Sequence, residues 1–398
     1  MYFRSAIVMP NINFNNTEVA FAHKTDADLR KASLLFKSFN YPILIKYGPG
    51  IAASLIDYLP PVKSLIRSTI FTQFCGGESI ADCENAIRTL AASKIGTILD
   101  YSVEGEEKET VFDHTCKEII DTIEKAAKNK KDIPFSVFKT TGIGRMDLLT
   151  KVNAKTALTE DETKEFERVK SRFESICNAA ATHGVRLFVD AEDSWIQDII
   201  DDLTYEAMKK YNSERAIIYN TIQCYRTGRI EHIQQKLKDL NCHLGFKIVR
   251  GAYMEKERAR AQEMGYTSPI HLSKENSDAE YDGALKLCVE HIDRVSICAG
   301  THNEKSSQLL CDLMEQKGLK NDHPNIFFAQ LLGMSDHISF NLANLGYNVA
   351  KYVPYGPVKA VLPYLSRRAT ENSSVKGQVG RELGLIKAEQ KRRQQSKK

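Results

Sequence analysis

The chain reads as an α/β protein in which an N-terminal helical segment precedes a (β/α)8 barrel. Eight short, nearly continuous apolar runs alternate with amphipathic helical stretches in one unbroken series from residue 96 onward. Runs of that kind are strands of a parallel sheet covered on both faces. The competing arrangement is a doubly wound open sheet with a dinucleotide site. It lacks its G-x-G-x-x-G after the first run, Gly142-Ile143-Gly144 being the nearest approach. Eight units match the closed barrel.

From Thr17 to about Leu90 the apolar spacing is helical, as in Leu29-Arg30-Lys31-Ala32-Ser33-Leu34-Leu35-Phe36, and Pro42, Pro60 and Pro61 punctuate the pieces. Ser79 followed by Asp82 has the look of a helix start. The strands are expected at Gly96–Tyr101, Phe135–Thr140, Arg186–Ala191, Ala216–Ile222, Phe246–Val249, Val295–Ala299, Ile326–Ala329 and Val349–Val353. Helical patterns between them include Val111–Ala127, Asp161–Ala181, Ile230–Leu240, Ala279–His291, Lys305–Glu315 and a last stretch from about Pro357 to Asn372. The organisation expected is a helical segment over 1–90, a barrel over 91–380 and a basic tail over 381–398.

Composition sets the limits. The 398 residues are 42% hydrophobic and 27% charged, ordinary globular values that exclude a disordered or fibrous chain. No apolar run reaches the ~18–20 residues that span a bilayer. The start, MYFRSAIVMPNINF, has one Arg and a short apolar stretch, a poor signal peptide and no transit-peptide pattern. The net charge is +4, yet residues 387–398 alone carry +5, so the body is nearly neutral and does not suit nucleic acid. A tail of this kind attracts an anionic surface or simply solvates a helix end. Nine scattered cysteines without a C-x-x-C pair fit reduced, buried thiols better than a disulfide frame or a zinc site.

Chemistry in such a barrel sits at the C-terminal strand ends. Those ends carry Lys139, Asp190 with Glu192, Gln223, Lys247 with Arg250 and Tyr253, Thr301-His302-Asn303, Gln330 and Tyr352. Each has an ordinary structural reading, but together they gather at one end of seven successive strands. In the last helix Arg367 and Arg368 stand four and three residues before Glu371, and Tyr364 one turn before them. Such a group is a surface salt-bridge cluster or, with its cations turned into the mouth, a bidentate carboxylate clamp. The residues alone give a barrel enzyme for a small carboxylic acid, its reaction open. Asp190, Glu192 and His302 also admit a metal-assisted hydrolase or isomerase, although no dense ligand motif supports one.

The segments FCGGES, ILDYSVEG, VDAED, KIVRGAYMEKERARAQ, THNE, QLLGM, KYVPYGP and VLPYLSRRATENSS, in that order, resemble the signatures of the proline dehydrogenase family over about residues 20–380. The resemblance is to the single-function, eukaryotic-like branch. It implies a distorted (β/α)8, TIM-type barrel carrying FAD. It also implies oxidation of L-proline to 1-pyrroline-5-carboxylate, the first step of proline catabolism, with electrons passed to a membrane quinone.

By motif position, the resemblance makes Arg367 and Arg368 the clamp on the substrate carboxylate, assisted by Lys139. Asp190 is expected to pair with Arg368 and hold the pocket, and Tyr352 and Tyr364 to enclose the ring beside Leu332 or Leu331. Asp190, Lys139 and Tyr352 form the catalytic set. The cofactor side takes Gln223, Lys247, Gly251, Ala252, Tyr253, Thr301, His302, Asn303, Gln330, Glu371 and Ser374. Lys247 stands where many members have Arg, keeping the charge but losing the planar fork.

The implied partners are L-proline and a quinone met by peripheral contact with a membrane; oligomeric state is left open. The expected compartment is the cytoplasm, at the inner membrane, or a mitochondrion if a leader has been removed. Three other readings stand beside this one: a hydroxyproline enzyme of the same family, disfavoured by the bulk of Tyr352; a metal-dependent barrel hydrolase; and an inactive scaffold docking through its basic tail.

Overall fold

The computed structural model describes residues 12–41, 58–102, 107–374 and 378–397, with 48, 50, 54 and 56 as isolated positions; the side chains of 60, 371–374, 378 and 379 lie outside it. Eight strands form one closed sheet: β1 (Ile95–Tyr101), β2 (Phe135–Lys139), β3 (Arg186–Asp190), β4 (Ile218–Gln223), β5 (Leu244–Val249), β6 (Val295–Gly300), β7 (Ile326–Leu331) and β8 (Val349–Tyr355). Every neighbouring pair is parallel, and β1 closes on β8 from Ile95↔Val349 to Tyr101↔Tyr355. Each strand lies where its apolar run predicts, with ends displaced by two residues at most.

Local chemistry explains the helix borders. Glu160–His183 starts on a Thr159/Glu162 capping box and ends at Gly184, whose φ of +58° suits a residue without Cβ. Ser79 Oγ does accept from Asp82 N–H, at 3.3 Å, but the helix begins only at Glu84, after an intervening turn. Helices Ser194–Tyr211 and Asp336–Asn344 complete the third and seventh βα units.

Strand alternation sorts the side chains into two sets. Ile98, Phe135, Val137, Phe188, Tyr219, Cys298, Ala329, Ala350 and Tyr352 fill the barrel. Phe135 stacks on Phe188 with centroids 4.3 Å apart, and the Arg186 guanidinium lies over the Phe135 and Phe327 rings. The other strand faces pack the surrounding helices. All nine cysteines are buried and free.

A separate core lies beside the C-terminal ends of β7 and β8. It joins Phe21, Leu29 and Phe36 from the N-terminal helices to Val358, Leu365, Leu385 and Ile386. The stretch read as a basic tail, 381–398, therefore includes most of a packed helix, Gln378–Gln395. Its charges are used internally. Glu389 is fully buried and accepts from Thr17, Arg392 and Arg393, while Arg393 also donates to the Phe21 carbonyl and to Asp26. Sequence separation hid this because the partners lie some 370 residues apart. Among the described residues no helix is long and apolar enough to cross a membrane.

Candidate active site

The inward alternation continues to the strand ends, so the top layer of the barrel holds Asp100, Lys139, Asp190, Gln223, Lys247 and Tyr352. At its centre Lys247 donates to Asp190 Oδ1, and the Tyr352 hydroxyl donates to Asp190 Oδ2 at 2.8 Å. The Lys247 ammonium also lies 5.3 Å from the Phe188 ring centroid and 5.1 Å from that of Tyr352. None of the three residues is more than 9% exposed. Asp190, expected against Arg368, is thus held by Lys247 and Tyr352. A compact ammonium suits this aromatic box, which explains how Lys serves where a planar guanidinium was the family expectation.

Asp100 was missed at the sequence level. It is buried on β1, accepts from Ser102, and with Asp190 faces the Tyr352 phenol. Burial and these two carboxylates push that phenol's pKa well up, so it remains a donor. Counting two residues on from the inward Ile98 would have found Asp100.

Lys139 pairs in register with Asp190 at the end of β2 and is half-buried. Glu192, two residues past Asp190, accepts from the backbone N–H and the hydroxyl of Thr141. Desolvation pushes its carboxyl up to about 7 against those bonds. Its carbonyl accepts from Gln223 Nε2 at 3.0 Å, which leaves Gln223 Oε1 buried without a partner.

Helix Leu362–Ser374 supplies the other wall. Tyr364 and Arg368 are buried, the Arg368 guanidinium lying 5.0 Å from the Tyr364 ring centroid, and Arg367 is half-buried. Burial raises the Asp193 pKa at the β3 end, with the charges of Lys256, Arg260 and Arg367 acting against it, and burial lowers the His302 pKa at the β6 end, reinforced by Lys351 and Arg368. Leu331, in register with Tyr352, packs against both the barrel interior and the core containing Tyr364. Leu332 packs on the outer core instead, so the leucine beside the two tyrosines is Leu331. The side chains of Glu371 and Ser374 lie outside the described residues.

The remaining residues form the rim. Gly251 has φ +128°, and a Cβ there would meet the Tyr225 ring at 2.4 Å, so only glycine fits before the exposed Ala252 and half-buried Tyr253. Arg250 stacks on Tyr281 at 4.3 Å and donates to Thr301, Ser306 and Asp278. His302 bonds Ser335 at 2.9 Å, and burial holds it neutral, its pKa down to about 3. Two residues expected on the cofactor side also have partners within the fold. Asn303 caps helix Glu304–Gln316 through Lys305 and Ser306, and Gln330 points outward to the Thr301 carbonyl and the Ser339 hydroxyl. Among the described residues no three His, Cys, Asp or Glu side chains converge on a possible metal position, and Asp190, Glu192 and His302 each serve different partners.

A family model described as proline dehydrogenase matches residues 83–381. The chain is 34% identical over 383 residues to "Proline dehydrogenase 1, mitochondrial" of Dictyostelium discoideum, covering 84% of this chain and 66% of that protein. To "Proline dehydrogenase 2, mitochondrial" of Arabidopsis thaliana it is 31% identical over 381 residues, covering 83% and 79%. The chain thus spans just under two thirds of the first relative. The crystal structure of proline utilization A from Bdellovibrio bacteriovorus inactivated by N-propargylglycine superposes with a TM-score of 0.71 over 91% of this chain and 36% of that one. At 16% identity this last likeness is one of fold.

Proposed function

The chain belongs to the proline dehydrogenase family, and on that premise we propose that it oxidises L-proline to 1-pyrroline-5-carboxylate with a non-covalently bound FAD. The electrons then pass to a quinone. The observation that carries the reading is the pairing of Arg367 and Arg368 on one wall with the buried Tyr352–Asp190–Lys247 group on the other. A cationic clamp and an aromatic wall fit a small cyclic amino acid.

The residues divide the work. The two arginines, with Lys139, hold the substrate carboxylate, and that fixes the ring carbon next to nitrogen at the far end. Tyr352, Tyr364 and Leu331 wall the ring and keep water out. Proline's ring ammonium first loses one proton to water; the neutral amine then loses a hydride equivalent from C5 as the C=N bond forms, and the resulting iminium releases its remaining N–H proton to water to give the pyrroline. Asp190 is already engaged by Lys247 and Tyr352, so it orients rather than abstracts.

The site fits a flavin on its own chemistry. An isoalloxazine edge presents one N–H between two carbonyls; the unpartnered Gln223 Oε1 would suit the N–H, and Lys247 with the Gly251-Ala252-Tyr253 backbone would supply donors for its acceptors. Bound there, FAD supplies the two-electron acceptor. Thr301 and His302 stand at the rim on the same side. The setting proposed is a mitochondrial one, as both named relatives are, with the quinone reached by surface contact with the membrane.

The test is direct. Purified protein should be yellow, its flavin absorbance should bleach anaerobically with L-proline, and a pyrroline product should accumulate with a soluble quinone. Acid precipitation should leave the colour in the supernatant. A protein that neither carries nor accepts FAD, or is not reduced by proline when loaded, overturns the proposal.

A further inference from the structure

We propose that Glu192 is a positioning residue that locks the Lys139 strand end to Gln223, and that its charge sets how well the site holds substrate at acidic pH. The inference rests on the proline reading for its kinetic arm. Its structural basis is that all four polar atoms of Glu192 are used, and by three different parts of the mouth. The carboxylate takes the N–H (2.9 Å) and hydroxyl of Thr141 in the turn that directly follows Lys139. Its carbonyl takes Gln223 Nε2 at 3.0 Å and so fixes which way the free Oε1 faces. Its N–H donates to Gln197 Oε1 at 2.8 Å, which is itself bonded through Nε2 to the buried Asp201 at 2.7 Å.

One residue thereby ties the ends of β2, β3 and β4 into a single corner. Lys139 is the member that reaches substrate in the proposed function, and Gln223 the member that reaches the flavin edge. Glu192 itself touches neither.

The charged and titratable groups facing Glu192 are Lys139 from β2 and Asp193 from its own loop; Asp193 is in turn neutralised by Lys256 at 2.7 Å and lies in the field of Arg260 and Arg367. Burial outweighs the Thr141 bonds and Lys139, and raises the Glu192 pKa to about 7. Above that value the carboxylate is charged, accepts both Thr141 donors and holds the turn. Below it the carboxyl carries a proton where it accepted one, and the turn loosens around Lys139.

Two variants test this. In the unmodified enzyme KM for proline should rise several-fold from pH 8 to pH 6, with kcat changing less. Glu192→Gln should raise KM about 5- to 10-fold at pH 8 and flatten that dependence. Thr141→Val removes one donor to the charged form, so it should keep the inflection but move it to higher pH. Thermal melting needs no substrate and separates this inference from the proposed function. The Glu192 pKa is raised on folding, so its contribution to stability is complete below about pH 4.5 and is lost as pH rises through about 7. The Tm of the unmodified protein should therefore fall relative to that of Glu192→Gln between pH 5 and pH 8, whatever the shape of either profile alone. Unchanged KM, pH profile and melting curve in both variants overturn the proposal. A uniform Tm loss without change in either pH profile reduces Glu192 to ordinary packing and overturns it equally.

Discussion

The Tyr352 hydroxyl donates to Asp190 Oδ2 at 2.8 Å, across a barrel in which the two residues are 162 positions apart in sequence. Strand alternation turns both side chains inward, and the bond fixes the phenol as a wall of the mouth. A trans-4-hydroxyl on the substrate ring must then displace Tyr352 or be buried without a partner, at a cost of about 1–3 kcal/mol. Proline should be preferred over trans-4-hydroxyproline by roughly 10- to 100-fold in kcat/KM. Tyr352→Ser should narrow that ratio, mainly by losing proline activity. Equal kcat/KM values in the unmodified enzyme would refute the steric argument.

Lys247 is the counter-charge of Asp190 inside the barrel, so its charge should matter more than its shape. Lys247→Met leaves a buried carboxylate with Tyr352 alone and should cost about 3–5 kcal/mol in chemical denaturation. Lys247→Arg keeps the charge but must fit a guanidinium between the Phe188 and Tyr352 rings, and should lose much less. Equal losses in the two variants would show that packing, not charge, decides the position.

Arg367→Met and Arg368→Met should weaken proline binding while leaving flavin content unchanged. Loss of one charge-assisted contact in a shielded pocket costs about 2 kcal/mol, near a 30-fold rise in KM. Steady-state kinetics beside the flavin-to-protein absorbance ratio decides the matter. Normal proline affinity in both variants would make the helix cluster a salt bridge and nothing more.

Acid should destabilise the fold through histidine. Burial lowers His302 and His232 to about 3 and His23 to about 4, so each is neutral in the folded chain and protonates in the unfolded one below about 6.5. Their stabilisation is present above pH 6.5 and drains away as pH falls, each contributing at most about 1.4 kcal/mol per pH unit. His302→Asn should shallow the acid arm of the Tm profile between pH 6.5 and 4.

The C-terminal helix should behave as part of the core. Glu389→Ala leaves Arg392, Arg393 and Thr17 without a shared acceptor and should lower Tm by several degrees, as should truncation before Gln378, which uncovers Phe21 and Leu29. A truncated chain with unchanged melting would show the helix to be an appendage after all.

Periodicity shows most of this molecule in advance. Each apolar run became a strand because a sheet covered on both faces demands continuous hydrophobicity, and no other pattern in the chain offers it. Leu332 and Gln330 show where that reading stops. Both lie in the right motif, but a single step of register turns Leu331 inward and Gln330 out toward Ser339.

The sequence by itself determined the barrel, its strand positions and the family. The strand period of two and the order of the motifs are local properties, written in consecutive residues. Only the tertiary structure decided which charges meet. That Asp190 is held by Lys247 and Tyr352, that Asp100 joins them, and that a basic C-terminal stretch folds over a buried Glu389 depend on barrel closure and helix docking. Those events bring together side chains tens to hundreds of residues apart, and charge pairing is chosen by the distance left after packing, which no stretch of sequence encodes alone.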